Sequence, residues 1–367
     1  MMARMVSVNN DALRFAREYY ALTIEEVSVK TKIKSSVLEQ YENGNDFPTY
    51  AQLEKLSDFY NKPMFYFFEK SVAKYEVDRV AFRRIGNEEP SKRIKELMES
   101  ANIYKLNLSE LYKDEKGKTF FDLMKQHECK DGEKLICVLR QLLDLSLDKQ
   151  VSYNHADQLL EYLRDKLYDI GIYVFKDSFK DNTVSGLCIY DEEYPIILLN
   201  NKTTFTRQLF TLFHEIYHIF CREADVDYIS QNEENACNNF ASFFLIPKED
   251  FRHQLSLYDD FENEEVIRTL AKRYCVSNDA VMYRLLKEDK IDASYYRDQK
   301  ILYFRESKSS GGNFYFTRMS YLGNAYLNKV FSAYYSGQIT KAQVGMYTKL
   351  KPIHISKLAS MRFGGAY

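Results

Sequence analysis

The stretch Arg207-Gln-Leu-Phe-Thr-Leu-Phe-His214-Glu215-Ile-Tyr-His218-Ile-Phe220 carries His-Glu-x-x-His inside an apolar run. Residues four apart on an α-helix lie one above the other on the same face. His214 and His218 can therefore present both imidazoles to one divalent cation, with Glu215 projecting beside them. This donor set suits a hydrolytic zinc centre. Neutral imidazoles bind Zn²⁺, a coordination position stays open to solvent, and the adjacent carboxylate acts as general base toward a carbonyl substrate. Leu209, Phe210, Leu212, Phe213, Ile216 and Phe220 leave little polar surface, which predicts a helix packed in a core. Five-residue motifs also arise by chance. Against chance, the chain has only six histidines and two of them stand here.

A third ligand is expected downstream on a second helix, in Glu233-Glu234-Asn-Ala-Cys237-Asn238-Asn-Phe240-Ala241-Ser-Phe-Phe244-Leu245-Ile-Pro247. Glu234 and Asn238 are one turn apart, and Phe240, Phe244 and Leu245 supply an apolar face. The acid can thus point inward while the helix packs on the first. Pro247 ends it. A site with a third histidine six residues after His218 is excluded, because Ala224 stands there.

With these elements in place, residues 168 to 247 resemble the ImmA/IrrE family of metallo-endopeptidases. Its pattern is a short sheet, an Arg-x-x-Phe-Thr-x-x-His-Glu-x-x-His helix, then Glu-x-x-Ala-Asn-x-Phe-Ala-x-x-Leu-Leu-x-Pro. Here those positions are Arg207, Phe210, Thr211, His214, Glu215 and His218, then Glu234, Asn238, Phe240, Ala241, Leu245 and Pro247. The resemblance implies a zincin-like domain with His214, His218 and Glu234 as ligands of Zn²⁺, or of Mn²⁺ in its place, and Glu215 as general base. Asn238 and Tyr217 then stand behind the ligands. Two departures bear on the site. Tyr217 replaces a small residue, usually Gly, and either walls the cleft or places a phenol near an oxyanion. Cys237 replaces the Ala before Asn238.

Residues 8 to 68 read as a five-helix unit. Leu13, Phe15 and Tyr19 have helical spacing, Thr23 with Glu26 makes a capping box, and Lys34 to Tyr41 forms a third helix closed by Glu42-Asn43-Gly44. Pro48-Thr49 with Gln52 opens a fourth helix, and Lys62 to Phe68 supplies a last apolar turn. The unit resembles the Cro/C1-type (XRE) helix-turn-helix of phage repressors. In that arrangement the third helix enters the major groove, which makes Lys34, Ser35, Ser36, Glu39 and Gln40 the candidate DNA contacts. Residues 1 to 70 hold nine Lys/Arg against ten Asp/Glu. Phosphate attraction must then be local, at Lys30, Lys32 and Lys34. The competing reading is a helical unit for dimerisation or for gripping a partner protein.

The expected organisation is α+β and predominantly helical. It comprises a helix-turn-helix domain (1–70), a linker (71–95) containing Arg83 and Arg84, a metallopeptidase domain (96–290) and an aromatic-rich helical C-terminal extension (291–367). Gly171 to Phe175, Ser185 to Tyr190 and Tyr194 to Leu199 are β-prone runs predicting a small antiparallel sheet beside the His214 helix, whose edge suits an extended peptide. Val266 to Leu286 repeats a helix-turn-helix rhythm, read here as helices that close the peptidase domain rather than as a second DNA reader. His155 and His253 fall outside any ligand spacing.

A chain of 367 residues is too long for one core. Its net charge of −2 excludes a general polyanion-binding protein. Six scattered cysteines without a Cys-x-x-Cys pair fit a reducing compartment, and neither a signal peptide nor a membrane-length apolar run is present, so a cytoplasmic location and no membrane partner are expected. Two function classes follow. One is a zinc endopeptidase coupled to a DNA-binding domain that cuts a repressor or toxin encoded nearby, in phage, mobile-element or stress regulation. The other is a non-catalytic regulator or antitoxin, acting as a homodimer or on a partner, whose zincin fold senses or binds.

Overall fold

The computed structural model describes residues 5–69, 90–115, 117, 119–180, 184–221, 231–302 and 313–364. Among them, nineteen α-helices, one 3₁₀ turn and a three-stranded sheet give an α+β, mostly helical chain. The described residues fall into two compact units, one holding residues up to 69 with 90–99, the other holding those from 100 onward.

The first unit starts with α1 (Asn10–Tyr19), α2 (Ile24–Thr31), α3 (Ser35–Glu42) and α4 (Tyr50–Tyr60), followed by a 3₁₀ turn at Met64–Phe68. The expected fifth helix is thus this single tight turn. Side chains fix the starts: Asn9 accepts from the Asp11 amide, and Thr23–Glu26 and Thr49–Gln52 form complete capping boxes. Leu13, Ala16, Val27, Leu38, Leu53, Leu56 and Phe67 make the core. Arg17 ties α1 to α3 through paired bonds of 2.8 and 2.7 Å to the Glu42 carboxylate. Helix α5 (Lys92–Leu111) adds its first two turns to this unit, where Lys62 pairs with Glu99 at 2.6 Å. Of the expected linker, residues 71–89, including Arg83 and Arg84, lie outside the described residues. Lys92 to Lys95 are already helix, because Ile94 and Leu97 find buried positions.

The second unit continues with α6 (Phe120–Gln126), α7 (Gly132–Leu142), α8 (Leu147–Ser152) and α9 (Ala156–Asp169). Then come the strands β1 (Tyr173–Asp177), β2 (Gly186–Ile189) and β3 (Ile196–Asn200), and the helices α10 (Phe205–Cys221) and α11 (Gln231–Leu245). The sheet has the order β1-β3-β2 and is mixed, not antiparallel as expected. β2 and β3 form an antiparallel hairpin, whose turn is held by the Asp191 carboxylate accepting from the amides of Glu193 and Tyr194. The chain crosses over between β1 and β2, so β1 reaches the far side of β3 and pairs with it in parallel, Tyr173 opposite Ile196. β3 is therefore central, and all five of its residues are buried.

After Pro247 come α12 (Lys248–Leu255), α13 (Glu264–Tyr274), α14 (Asn278–Lys287) and α15 (Ala293–Leu302). α14 buries Ala280, Val281, Met282, Arg284 and Leu285, and the Arg284 guanidinium lies 3.7 Å from the centre of the Phe243 ring on α11. Half of this helix is thus committed to the interior.

The C-terminal helices α16 (Phe314–Leu322), α17 (Asn324–Tyr335), α18 (Lys341–Thr348) and α19 (Pro352–Phe363) belong to the same compact unit as the sheet. The reason is aromatic packing. Tyr104 stacks on Phe175 of β1 at 4.0 Å, and Tyr326 of α17 meets the Phe175 ring edge-on at 5.0 Å. Two adjacent residues of α9 hold the α16–α17 corner. Arg164 donates to the Ser320 and Tyr321 carbonyls at the end of α16, and Asp165 accepts from the Ala325 amide at the start of α17. Each charge faces the helix end of opposite partial charge. Between them Gly323 has φ 82°, and a Cβ there would lie 3.0 Å from Arg164 Nη2. Among the described residues no helix is long and apolar enough to cross a membrane.

Candidate metal centre

Helix α10 is buried along most of its length, and α11 packs against it. Phe213 stacks on Phe244 at 3.7 Å, and Tyr217 stacks on Phe240 at 4.8 Å. Between these contacts the four-residue spacing brings His214 and His218 onto one face, where their Nε2 atoms stand 3.0 Å apart. Both side chains are almost fully buried. Glu234, from the first turn of α11, turns toward them, with one carboxylate oxygen 3.6 Å from His214 Nε2 and the other 3.6 Å from His218 Nε2. Donors held by a single Zn²⁺ at ~2.0–2.1 Å stand roughly 3.3 Å apart in a tetrahedral arrangement. The observed spacings bracket that value.

The far edges of the imidazoles are engaged too. His214 Nδ1 is 3.0 Å from Asn238 Oδ1, and His218 Nδ1 is 3.5 Å from Cys237 Sγ. An oxygen or sulfur acceptor at Nδ1 keeps the proton there and leaves the Nε2 lone pair facing the shared point. His214, His218 and Cys237 also form a group whose ligand atoms lie within 4.8 Å of one another. The sulfur, however, lies 3.5 Å from His218 Nδ1, while it is Nε2 of that ring that meets His214 Nε2. It is placed to orient that ring, while the oxygens that approach the Nε2 pair are those of Glu234. Sequence reading noticed Cys237 only as a departure from a pattern. Its place three residues after Glu234 and beside Asn238 was the available signal.

Glu215 is 2% exposed, and its Oε1 has no hydrogen-bond partner among the described residues. A buried carboxylate oxygen without a donor is costly in a finished core. It is expected where a proton-bearing substrate or solvent atom completes the site. Strand β2 lies against this side of α10. A Cβ on Gly186 would fall 2.5 Å from Thr211 Cγ2, 3.2 Å from the Leu198 carbonyl oxygen and 3.5 Å from Glu215 Cγ. Only glycine lets β2 come this close. Gly186→Ala is expected to cost about 2 kcal/mol through overpacking, read as a fall of roughly 5 °C in thermal midpoint. Adding Thr211→Ser, which deletes the clashing methyl, should recover most of that loss; a double variant no better than the single one would place the strain elsewhere.

Tyr217 forms a wall. Its ring covers Phe240, and Gly132 at the start of α7 packs against its Cε2 and hydroxyl edge. His155 and His253 are exposed and remote from the motif in sequence and element. In the first unit, Lys34 is the residue before α3. Lys34, Ser36, Glu39 and Gln40 are exposed and Ser35 is half-buried, while Leu38 and Tyr41 turn into the core. Lys30 and Lys32 are exposed as well.

Residues 168–286 match the family described as the IrrE N-terminal-like domain, Peptidase_M78. The match embraces the sheet, α10 and α11 and ends within α14, and it covers less than half of the chain. At the level of that domain a metallopeptidase-like or regulatory role is indicated. Comparison with curated proteins finds no match. Among solved structures, a Mycobacterium tuberculosis transcriptional regulator is similar at 18% identity over 39% of this chain, with a TM-score of 0.28. The chain spans 46% of that regulator, and the likeness is too remote to carry a functional inference.

Proposed function

We propose that the chain is a zinc-dependent endopeptidase coupled to a DNA-binding N-terminal unit, and that it cuts a repressor or toxin encoded nearby. The observation supporting this most directly is the convergence of His214 Nε2, His218 Nε2 and the Glu234 carboxylate, with the partnerless Glu215 Oε1 on the neighbouring face of α10. His214, His218 and Glu234 would hold the metal. Zn²⁺, or Mn²⁺ in its place, supplies Lewis-acid polarisation of the scissile carbonyl and lowers the pKa of water there. The chain's own residues do the rest. Glu215 takes the proton of the attacking water at Oε1 and returns it to the leaving amine. Asn238 and Cys237 hold the imidazole rings. Among the described strands β2 pairs only with β3, so its other edge beside α10 can accept a substrate backbone in extended form.

The test uses the full-length protein and its metal content. Zinc bound in about one equivalent, together with cleavage of a co-encoded repressor or toxin that stops on chelation and returns with Zn²⁺, supports the proposal. Cleavage indifferent to chelation overturns it.

The DNA arm rests on the exposed face of α3 with Lys30, Lys32 and Lys34 at its entrance. With so few basic residues, log affinity should fall only shallowly with log salt, by about 0.9 per phosphate contact. Lys34→Ala should flatten the slope of log affinity against log salt by about one unit. Electrophoretic shift of the chain's own promoter at several salt concentrations measures it. A slope unchanged by Lys34→Ala removes that lysine from the interface.

A further inference from the structure

The two imidazoles of the site are supported differently, and the difference falls on Cys237. His214 is held by a carbonyl oxygen, Asn238 Oδ1 at 3.0 Å, whereas His218 is held by a sulfur, Cys237 Sγ at 3.5 Å. Cys237 is fully buried on α11, one position before Asn238 and three after Glu234, so consecutive residues of one helix reach the outer edges of both rings. We infer that Cys237 is a positioning residue of the metal centre: its sulfur accepts from His218 Nδ1–H and thereby keeps the Nε2 lone pair aimed at the point it shares with His214 Nε2 and Glu234.

The inference rests on the metal-centre reading above and deepens it. Without an acceptor at Nδ1, the buried ring can turn about its Cβ–Cγ bond or move its proton to Nε2, and either change removes one of two nitrogen donors. Partners behind metal-bound histidines typically contribute 10–100-fold to metal affinity. A thiol is a weak acceptor, so the lower part of that range applies here. A thiolate ligand would share the metal with Nε2 of His214 and His218, whereas the sulfur's contact is with His218 Nδ1.

The experiment measures Zn²⁺ affinity of the full-length protein by chelator competition, and the electronic spectrum after Co²⁺ substitution. Cys237→Ala should weaken Zn²⁺ binding about 10-fold. Cys237→Ser, whose hydroxyl is shorter but a better acceptor, should restore most of it. The wild-type Co²⁺ spectrum should lack the intense near-ultraviolet sulfur-to-cobalt charge-transfer band. Such a band in wild type, lost in Cys237→Ala, makes Cys237 a ligand and overturns the inference. So does Cys237→Ala binding zinc as tightly as wild type, or a loss in a folded Cys237→Ala that Cys237→Ser does not repair, which assigns the effect to packing. If wild type binds no metal at all, the metal-centre reading fails first, and the two failures are told apart by that one measurement.

Discussion

Glu215→Gln is expected to lower peptide-bond cleavage about 10³-fold while leaving zinc content at the wild-type level. The substitution keeps the size and shape of a side chain that is 2% exposed. It also keeps the contact between its methylene group and β2 at Gly186, since Gln has the same Cγ. What it removes is a carboxylate oxygen able to take a proton. The donors facing the shared point, His214 Nε2, His218 Nε2 and the Glu234 oxygens, are untouched, and so are the acceptors behind the rings. Binding of metal and of substrate should therefore persist, with the loss concentrated in turnover. Zinc analysis and single-turnover cleavage of the natural partner measure the two separately. Equal cleavage by wild type and variant would leave Glu215 without a part in the chemistry. A loss of both zinc and cleavage would instead make it structural to the centre.

The local features of this site were legible because helix geometry is local. A His-x-x-x-His spacing on an apolar run needs nothing beyond the 3.6-residue period to place both rings on one face, and the same period carries Glu234 and Asn238. Capping chemistry was equally readable: Thr23 with Glu26 and Thr49 with Gln52 start helices at the expected positions. Pairing was not. The β-branched and aromatic residues of Gly171 to Phe175 identify a strand but say nothing about its neighbour, so the parallel match with β3 across a crossover was missed. Gly186 was read only as part of a β-prone run, and its close approach to Thr211 depends on a partner 25 positions away. The packing of the C-terminal helices was not readable for a similar reason. The contacts that join the C-terminal helices to the rest of their unit run from Arg164 to Ser320 and from Asn107 to Tyr326, and nothing in the local pattern of either end announces them.

Those long-range contacts make Arg164→Ala the substitution with the largest expected effect on stability. The Arg164 side chain is 3% exposed and donates to three backbone carbonyls, those of Val174 in β1 and of Ser320 and Tyr321 in α16, besides its pairing with Glu161. Truncation strands three acceptors in the interior, at the end of a helix whose partial negative charge then has no cation. It also leaves Glu161 with Lys176 alone, at 2.7 Å. Breaking a buried, hydrogen-bonded charge cluster in this way costs about 3–5 kcal/mol, a large share of the ~5–15 kcal/mol that holds a typical protein folded. The expected readout is a fall of roughly 10 °C in the thermal midpoint of the second unit. Arg164→Lys should recover little, because one ammonium cannot serve carbonyls on two elements at once. A second readout is acid sensitivity. Burial alone would raise the Glu161 carboxyl, but Arg164 and Lys176 more than offset it and hold it below its usual value. The stability it contributes is therefore present above the ordinary glutamate pKa and is lost as pH falls through the depressed one. With Arg164 gone the depression shrinks, and the acid limb of the stability curve should flatten. A thermal midpoint within about 2 °C of wild type, with an unchanged acid limb, would show that aromatic packing of Tyr104, Phe175 and Tyr326 is sufficient to hold the C-terminal helices on the sheet.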